Sequence, residues 1–190
     1  MLPPADAAVV QRDPALPGLG LVLDPAALVG WLDAALPDTW IVDAEARYVR
    51  YKPGGSCVVA YRFHTAGGEV DGFAKAYRRG AEGKAAKALD KAVPSVFGGP
   101  GVAASDEHRV SVQLFPNDRS LPALRVLGDP SRRARLLRRL TDDDAVRLVP
   151  LRYKPERRWV GRVDGPGGPC AVVRLYAGRP PAAGQAFTST

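Results

Sequence analysis

Lys52 and Lys154 sit in the same tetrapeptide, Arg-Tyr-Lys-Pro, at 50–53 and again at 152–155, 102 positions later by subtraction. After the first copy come the turn Gly54-Gly55-Ser56, an alternating run to Phe63, the turn Gly67-Gly68 and the strand-like Phe73-Ala-Lys75-Ala-Tyr77. After the second come Glu156-Arg157, an alternating run over 158–163, a turn over 164–169 and the strand-like Ala171-Val-Val-Arg174-Leu-Tyr176. Lys75 therefore corresponds to Arg174. A glycine turn lets backbone N–H groups approach oxygens that a side chain would fend off. A lysine one turn further on supplies a compact positive charge, so the chemistry on offer is the holding of an anion, phosphate above all. Four shared residues alone would carry little. The matching turn positions, strand order and third-strand cation make an internal duplication the better reading.

The elements around these residues can be read locally. Residues 1–23 are Pro-rich and read as a loosely held leader with one apolar stretch at Leu19–Leu23. Asp24-Pro25 predicts a helix start, an N-cap acceptor followed by a proline whose missing N–H costs nothing there. Leu28, Val29, Leu32 and Leu36 follow at helical spacing up to Pro37. The first unit, 47–77, reads as a hairpin plus a third strand. Residues 80–93 read as a helix with alanines on one side and lysines on the other, ended by Pro94 and the 98–101 glycine cluster. Residues 110–115 alternate as a fourth strand, with 102–104 as its neighbour. Asp129-Pro130 starts another helix by the same N-cap logic, and the second unit spans 147–176. The expected organisation is a leader and helix (1–46), a first sheet unit with helices (47–144), a second, incomplete sheet unit (145–176) and a tail (177–190). The fold class is α+β.

Composition narrows the classes. At 190 residues and 46% hydrophobic, the chain has the means for a real core. No run approaches the ~18 apolar residues of a membrane span, so no membrane association is expected. The start lacks a basic region leading into an apolar stretch, so the expected location is cytoplasmic. Cys57 and Cys170 have no metal-ligand spacing and read as small buried strand residues. The net charge of +7 comes with 21 arginines among 27 basic residues and abundant Ala, Gly and Pro, a joint bias that GC-rich codon usage produces. The charge favours anionic partners, but the arginine helix 130–140 has no interleaved aromatics to stack on bases. Sequence-specific nucleic-acid binding is not expected. Asp142, Asp143 and Asp144 are consecutive and point in different directions, and His64 and His108 are single, so no metal site is expected.

The strings RYKPGGSCVVAYRF, FAKAY, Phe115-Pro-Asn-Asp118 and LRYKPERRWVGRV together resemble the N-terminal region of bacterial aminoglycoside-phosphotransferase-like proteins, a branch of the kinase-like superfamily. The resemblance covers most of residues 40–176. It implies a small sheet lobe of the kind that lies over a nucleotide, and ATP with magnesium as cofactor. On that reading Gly54, Gly55 and Ser56 stand where a loop covers the ATP phosphates. Lys75 matches the third-strand lysine that holds them, and its acidic partner would be Asp90 or Glu82. In the second unit Arg174 takes the lysine's place, and the turn 154–157 has lost both glycines. The bland readings stand beside these: an ordinary glycine hairpin turn, and a strand lysine facing solvent.

The resemblance also shows what these residues lack. Phosphoryl transfer needs a base for the hydroxyl proton and carboxylates for magnesium, and the family supplies them from a His-Gly-Asp loop and a later aspartate. Here Thr65 follows His64 and Arg109 follows His108, so no catalytic residue is assigned. The function implied is the nucleotide-binding front portion of a phosphotransferase acting on a small-molecule hydroxyl, its catalytic lobe outside residues 1–190. The second unit, expected to stop in mid-unit, points the same way. The alternative is a non-catalytic kinase-like binding or interaction module.

Overall fold

Alternating apolar residues between two glycine turns produce the central hairpins. The computed structural model describes residues 2–37, 41–81, 83–141 and 146–178. Strands β1 (Ile41–Lys52), β2 (Ser56–Thr65) and β3 (Gly68–Tyr77) form an antiparallel meander. Strands β4 (Val102–Ser105) and β5 (Val110–Leu114) extend it to the order β1-β2-β3-β5-β4. A second, three-stranded antiparallel sheet follows: β6 (Arg147–Lys154), β7 (Arg158–Gly165) and β8 (Gly168–Tyr176). The architecture is α+β, and β4 pairs with β5, the neighbour expected for the alternating segment.

The register makes the repeat explicit. Lys52 faces Ser56, which faces Tyr77; Lys154 faces Arg158, which faces Tyr176. One rung further in, Arg50, Val58 and Lys75 align across the first sheet, and Arg152, Val160 and Arg174 align across the second. Both first strands shift register, β1 between Ile41 and Asp43 and again between Ala46 and Tyr48. β6 shifts register between Pro150 and Arg152, as befits an edge strand whose Pro150 has no N–H for the ladder.

Because side chains alternate across a strand, each sheet has two distinct faces. On one face of the first sheet, Cys57, Val59, Tyr61 and Phe63 pack with Ala74 and Val112 against α1 (Pro4–Arg12), α2 (Leu19–Leu23) and α3 (Pro25–Ala35). Residues 1–23 are thus no loose leader: Leu16, Leu19 and Val22 are fully buried, and Tyr61 donates to the Val22 carbonyl at 2.9 Å. Each such apolar side chain contributes about 1.5–3 kcal/mol by leaving water. Asp24 caps α3, accepting from the Ala26 and Ala27 amides at 3.1 and 3.2 Å.

The opposite face, with Val58, Ala60 and Phe73, is covered by the second unit; Phe73 meets the Tyr153 ring edge-on at 6.3 Å. That unit has its own core, in which Trp159 packs with Leu121, Leu124 and Leu127. These leucines flank and enter α4 (Leu124–Gly128), and α5 (Pro130–Thr141) follows, capped by Asp129 on the Arg132 amide at 2.9 Å.

Three expectations need correction. Residues 80–93 form no α-helix among the described positions; they run through turns with one 3₁₀ segment at Ala86–Ala88. Gly80 and Gly83, at φ +75° and +69°, break the helical path that the alanines suggest. Cys57 is buried, and burial pushes its thiol up to about 12, but Cys170 is exposed. His64 is not alone, since its Nδ1 lies 3.6 Å from Glu69 across the hairpin. Asp142–Asp144 lie outside the described residues.

Candidate functional site

Each Arg-Tyr-Lys-Pro turn is held by a buried aspartate. In the first, Gly54 stands at φ +62°, and its amide donates to Asp13 Oδ2 at 2.9 Å. Tyr51 donates its hydroxyl to the same oxygen at 2.7 Å. In the second, Glu156 stands at φ +62°, its amide donates to Asp118 Oδ2 at 2.8 Å, and Tyr153 donates to that oxygen at 2.9 Å. The two carboxylates shift in opposite directions. The Gly54 amide and the Tyr51 hydroxyl hold Asp13 below the usual aspartate range. Burial pushes Asp118 up despite the same kind of donors.

The glycine turn is therefore already engaged. Gly54 gives its amide to Asp13, and the Gly55 amide closes the turn on the Lys52 carbonyl at 2.9 Å. Ser56 pairs in the ladder with Lys52 and Tyr77. None of the three lines the cavity beside Lys75.

Lys75 also has a different partner from either expected one. Its Nζ lies 2.5 Å from Glu156 Oε1, and Arg50 bonds the other carboxylate oxygen. Asp90 is exposed away from this pair, and Glu82 lies outside the described residues. All three charged side chains are at least three-quarters buried. Burial pushes the Glu156 carboxyl up, but the Lys75 ammonium and then the Arg50 guanidinium outweigh it and hold it below the usual range. Glu156 belongs to the second unit's turn, so this clamp fastens the two units together. The Lys75 ammonium also lies 5.3 Å from the Tyr77 ring centre.

Arg174 occupies the same register position as Lys75 but stands exposed, without a carboxylate partner among the described residues. Its sheet face is open. Val172, counterpart of the buried Phe73, is 52% exposed where Phe73 is 1%. By strand alternation the face also carries Arg152, Lys154 and Arg158. Desolvation, then the neighbouring Arg152, Arg158 and Arg157, lower the Lys154 pKa, and Arg158 Nε is buried with no hydrogen-bond partner. Lys154 lies 5.1 Å from the Tyr48 ring centre. The result is a cationic surface short of negative charge.

Sequence reasoning missed Asp13, Asp118 and Glu156. A signal for the aspartates was present. Asp13-x-x-Leu16-Pro17-x-Leu19, then Asp24-Pro25, recurs 105 positions later as Asp118-x-x-Leu121-Pro122-x-Leu124, then Asp129-Pro130. The duplication thus begins ahead of each helix pair, upstream of the hairpins.

Compared with protein-family models, with curated proteins and with solved structures, the chain matches none. Among the described residues no helix is long and apolar enough to cross a membrane, and no three His, Cys, Asp or Glu side chains gather where they could hold a metal.

Proposed function

We propose that this chain is the nucleotide-binding portion of an ATP-dependent phosphotransferase that acts on a small-molecule hydroxyl, and that the nucleotide lies on the open face of β6-β7-β8. One observation carries the reading: Arg174, at the third-strand position of the repeat, has no ion-pair partner among the described residues and stands in a cationic cluster on an exposed sheet face. Lys75, its counterpart, is committed to Glu156. A guanidinium at that position offers two parallel donors to a phosphate, where an ammonium offers a point charge.

The residues present suit phosphate oxygens. They do not suit magnesium, for which no carboxylate cluster exists among the described residues, so no chemical step is derived through it. The chain's own part is to bind and orient. Transfer itself would require a base and metal-holding carboxylates, and the described residues assemble no such carboxylate group.

Photo-crosslinking with an azido-ATP, followed by peptide mapping, tests the placement. Labelling confined to residues 152–176 supports it, and labelling confined to 54–77 contradicts it.

A second reading, a non-catalytic interaction module, is favoured by the first unit, where the equivalent Arg50 and Lys75 receive a carboxylate of the chain itself. Binding of an acidic peptide at physiological salt, with no ATP binding, would select that reading.

A further inference from the structure

The cavity beside Lys75 is separate from the open face, and its lining reaches beyond the clamp residues Lys75 and Glu156. It measures about 260 Å³, below the roughly 300–1,000 Å³ that drug-sized ligands occupy. Its walls come from three places: Lys75 and Gln113 on the sheet, Lys84 and Lys87 on the segment after β3, and Arg119 and Ser120 at the head of the second unit.

Two independent features mark it as a ligand site. The first is charge. Lys84, Lys87 and Arg119 make no ion pair among the described residues, while the two carboxylates in the lining are already satisfied. Glu156 holds Arg50 and Lys75, and Asp118 accepts from Ser120, Tyr153 and Glu156. Arg119 spends one N–H on the Lys87 carbonyl at 3.1 Å, which ties two walls together and leaves its other donors free. The second feature is Gln113. It is only 6% exposed, it lines the cavity, and its side-chain amide makes no hydrogen bond among the described residues, its polar atoms staying open to the cavity. An amide held open to a cavity in this way is available to a ligand's own polar groups.

We propose that this cavity binds a small phosphate monoester carrying a hydroxyl. Lys84, Lys87 and Arg119 take the dianion, and the Gln113 amide hydrogen-bonds the hydroxyl. Three unpaired cations match a doubly charged head group. An amide that can both donate and accept reads a hydroxyl rather than a second charge. The volume leaves room for a body of a few atoms only. Because Arg119 and Ser120 lead into the second unit, the ligand would also brace the junction of the two units.

Calorimetric titration of the 190-residue protein with glycerol phosphate and with inorganic phosphate, at about 0.15 M salt, tests this. Glycerol phosphate should bind several-fold more tightly than inorganic phosphate, and Gln113→Leu should erase that difference. Lys84→Ala with Lys87→Ala should weaken both by about tenfold or more, the scale of losing charge-assisted bonds. Both lysines are exposed, so this pair of changes leaves the core intact. Phosphate binding indifferent to the lysine changes, or no binding at all, overturns the proposal. So does ATP competing for the cavity with the same dependence on Lys84 and Lys87.

Discussion

Asp13 and Asp118 do the same job in different surroundings, and the difference has measurable consequences. Asp118→Ala strands the Tyr153 hydroxyl and the Glu156 amide in the interior between the units, and should cost about 3 kcal/mol. Asp13→Ala strands the equivalent pair nearer the surface, where water can substitute, and should cost about 1 kcal/mol. Urea unfolding of both variants measures the gap. Glu156 is best probed with Asn, which tolerates the left-handed backbone at φ +62°. Glu156→Asn leaves Lys75 and Arg50 facing each other without a counter-charge and should cost about 2 kcal/mol at pH 7. Because its folded pKa is depressed, Glu156 contributes stability that is full above the ordinary glutamate range and lost as pH falls through the folded value. The gap between wild type and Glu156→Asn should therefore close as pH is lowered. A gap that stays constant down to acid pH would show that the carboxylate charge is not what holds the clamp.

At the scale of elements, the two sheets solve one packing problem with opposite volumes. Where β2 places Cys57 and Val59 toward the helices, β7 places Trp159 and Gly161. A Cβ on Gly161 would lie 2.2 Å from the Trp159 ring. Gly161→Val should destabilise by about 1–3 kcal/mol through overpacking. Adding Trp159→Cys, which restores the first unit's pair, should recover part of that loss in thermal unfolding. If the double variant is the sum of the singles, the two positions are not coupled in this way. The legible elements were those set by local chemistry. The Asp-Pro caps at 24–25 and 129–130 and the two meanders all follow from adjacent residues. Glu156 was illegible because its partner lies 81 positions away in sequence and is defined only by how the units pack. Residues 80–93 misled because alanine and lysine suit a helix, while two glycines at positive φ decide otherwise.

The whole molecule reads as two copies of one motif, a buried aspartate and short helices followed by a three-stranded meander, with the second copy seated on the sheet face of the first. Arg50 and Lys75 of the first copy are spent on that junction, while Arg174 of the second stands exposed. Binding and docking would thus be the same chemistry used twice, once on a carboxylate and once on phosphate. Calorimetric titration of ATP against the wild type, Arg174→Ala and Lys75→Ala tests this most directly. The account predicts weak ATP binding by the wild type, its loss in Arg174→Ala, and its retention in Lys75→Ala despite that variant's lower stability. Binding lost in Lys75→Ala but kept in Arg174→Ala would contradict it.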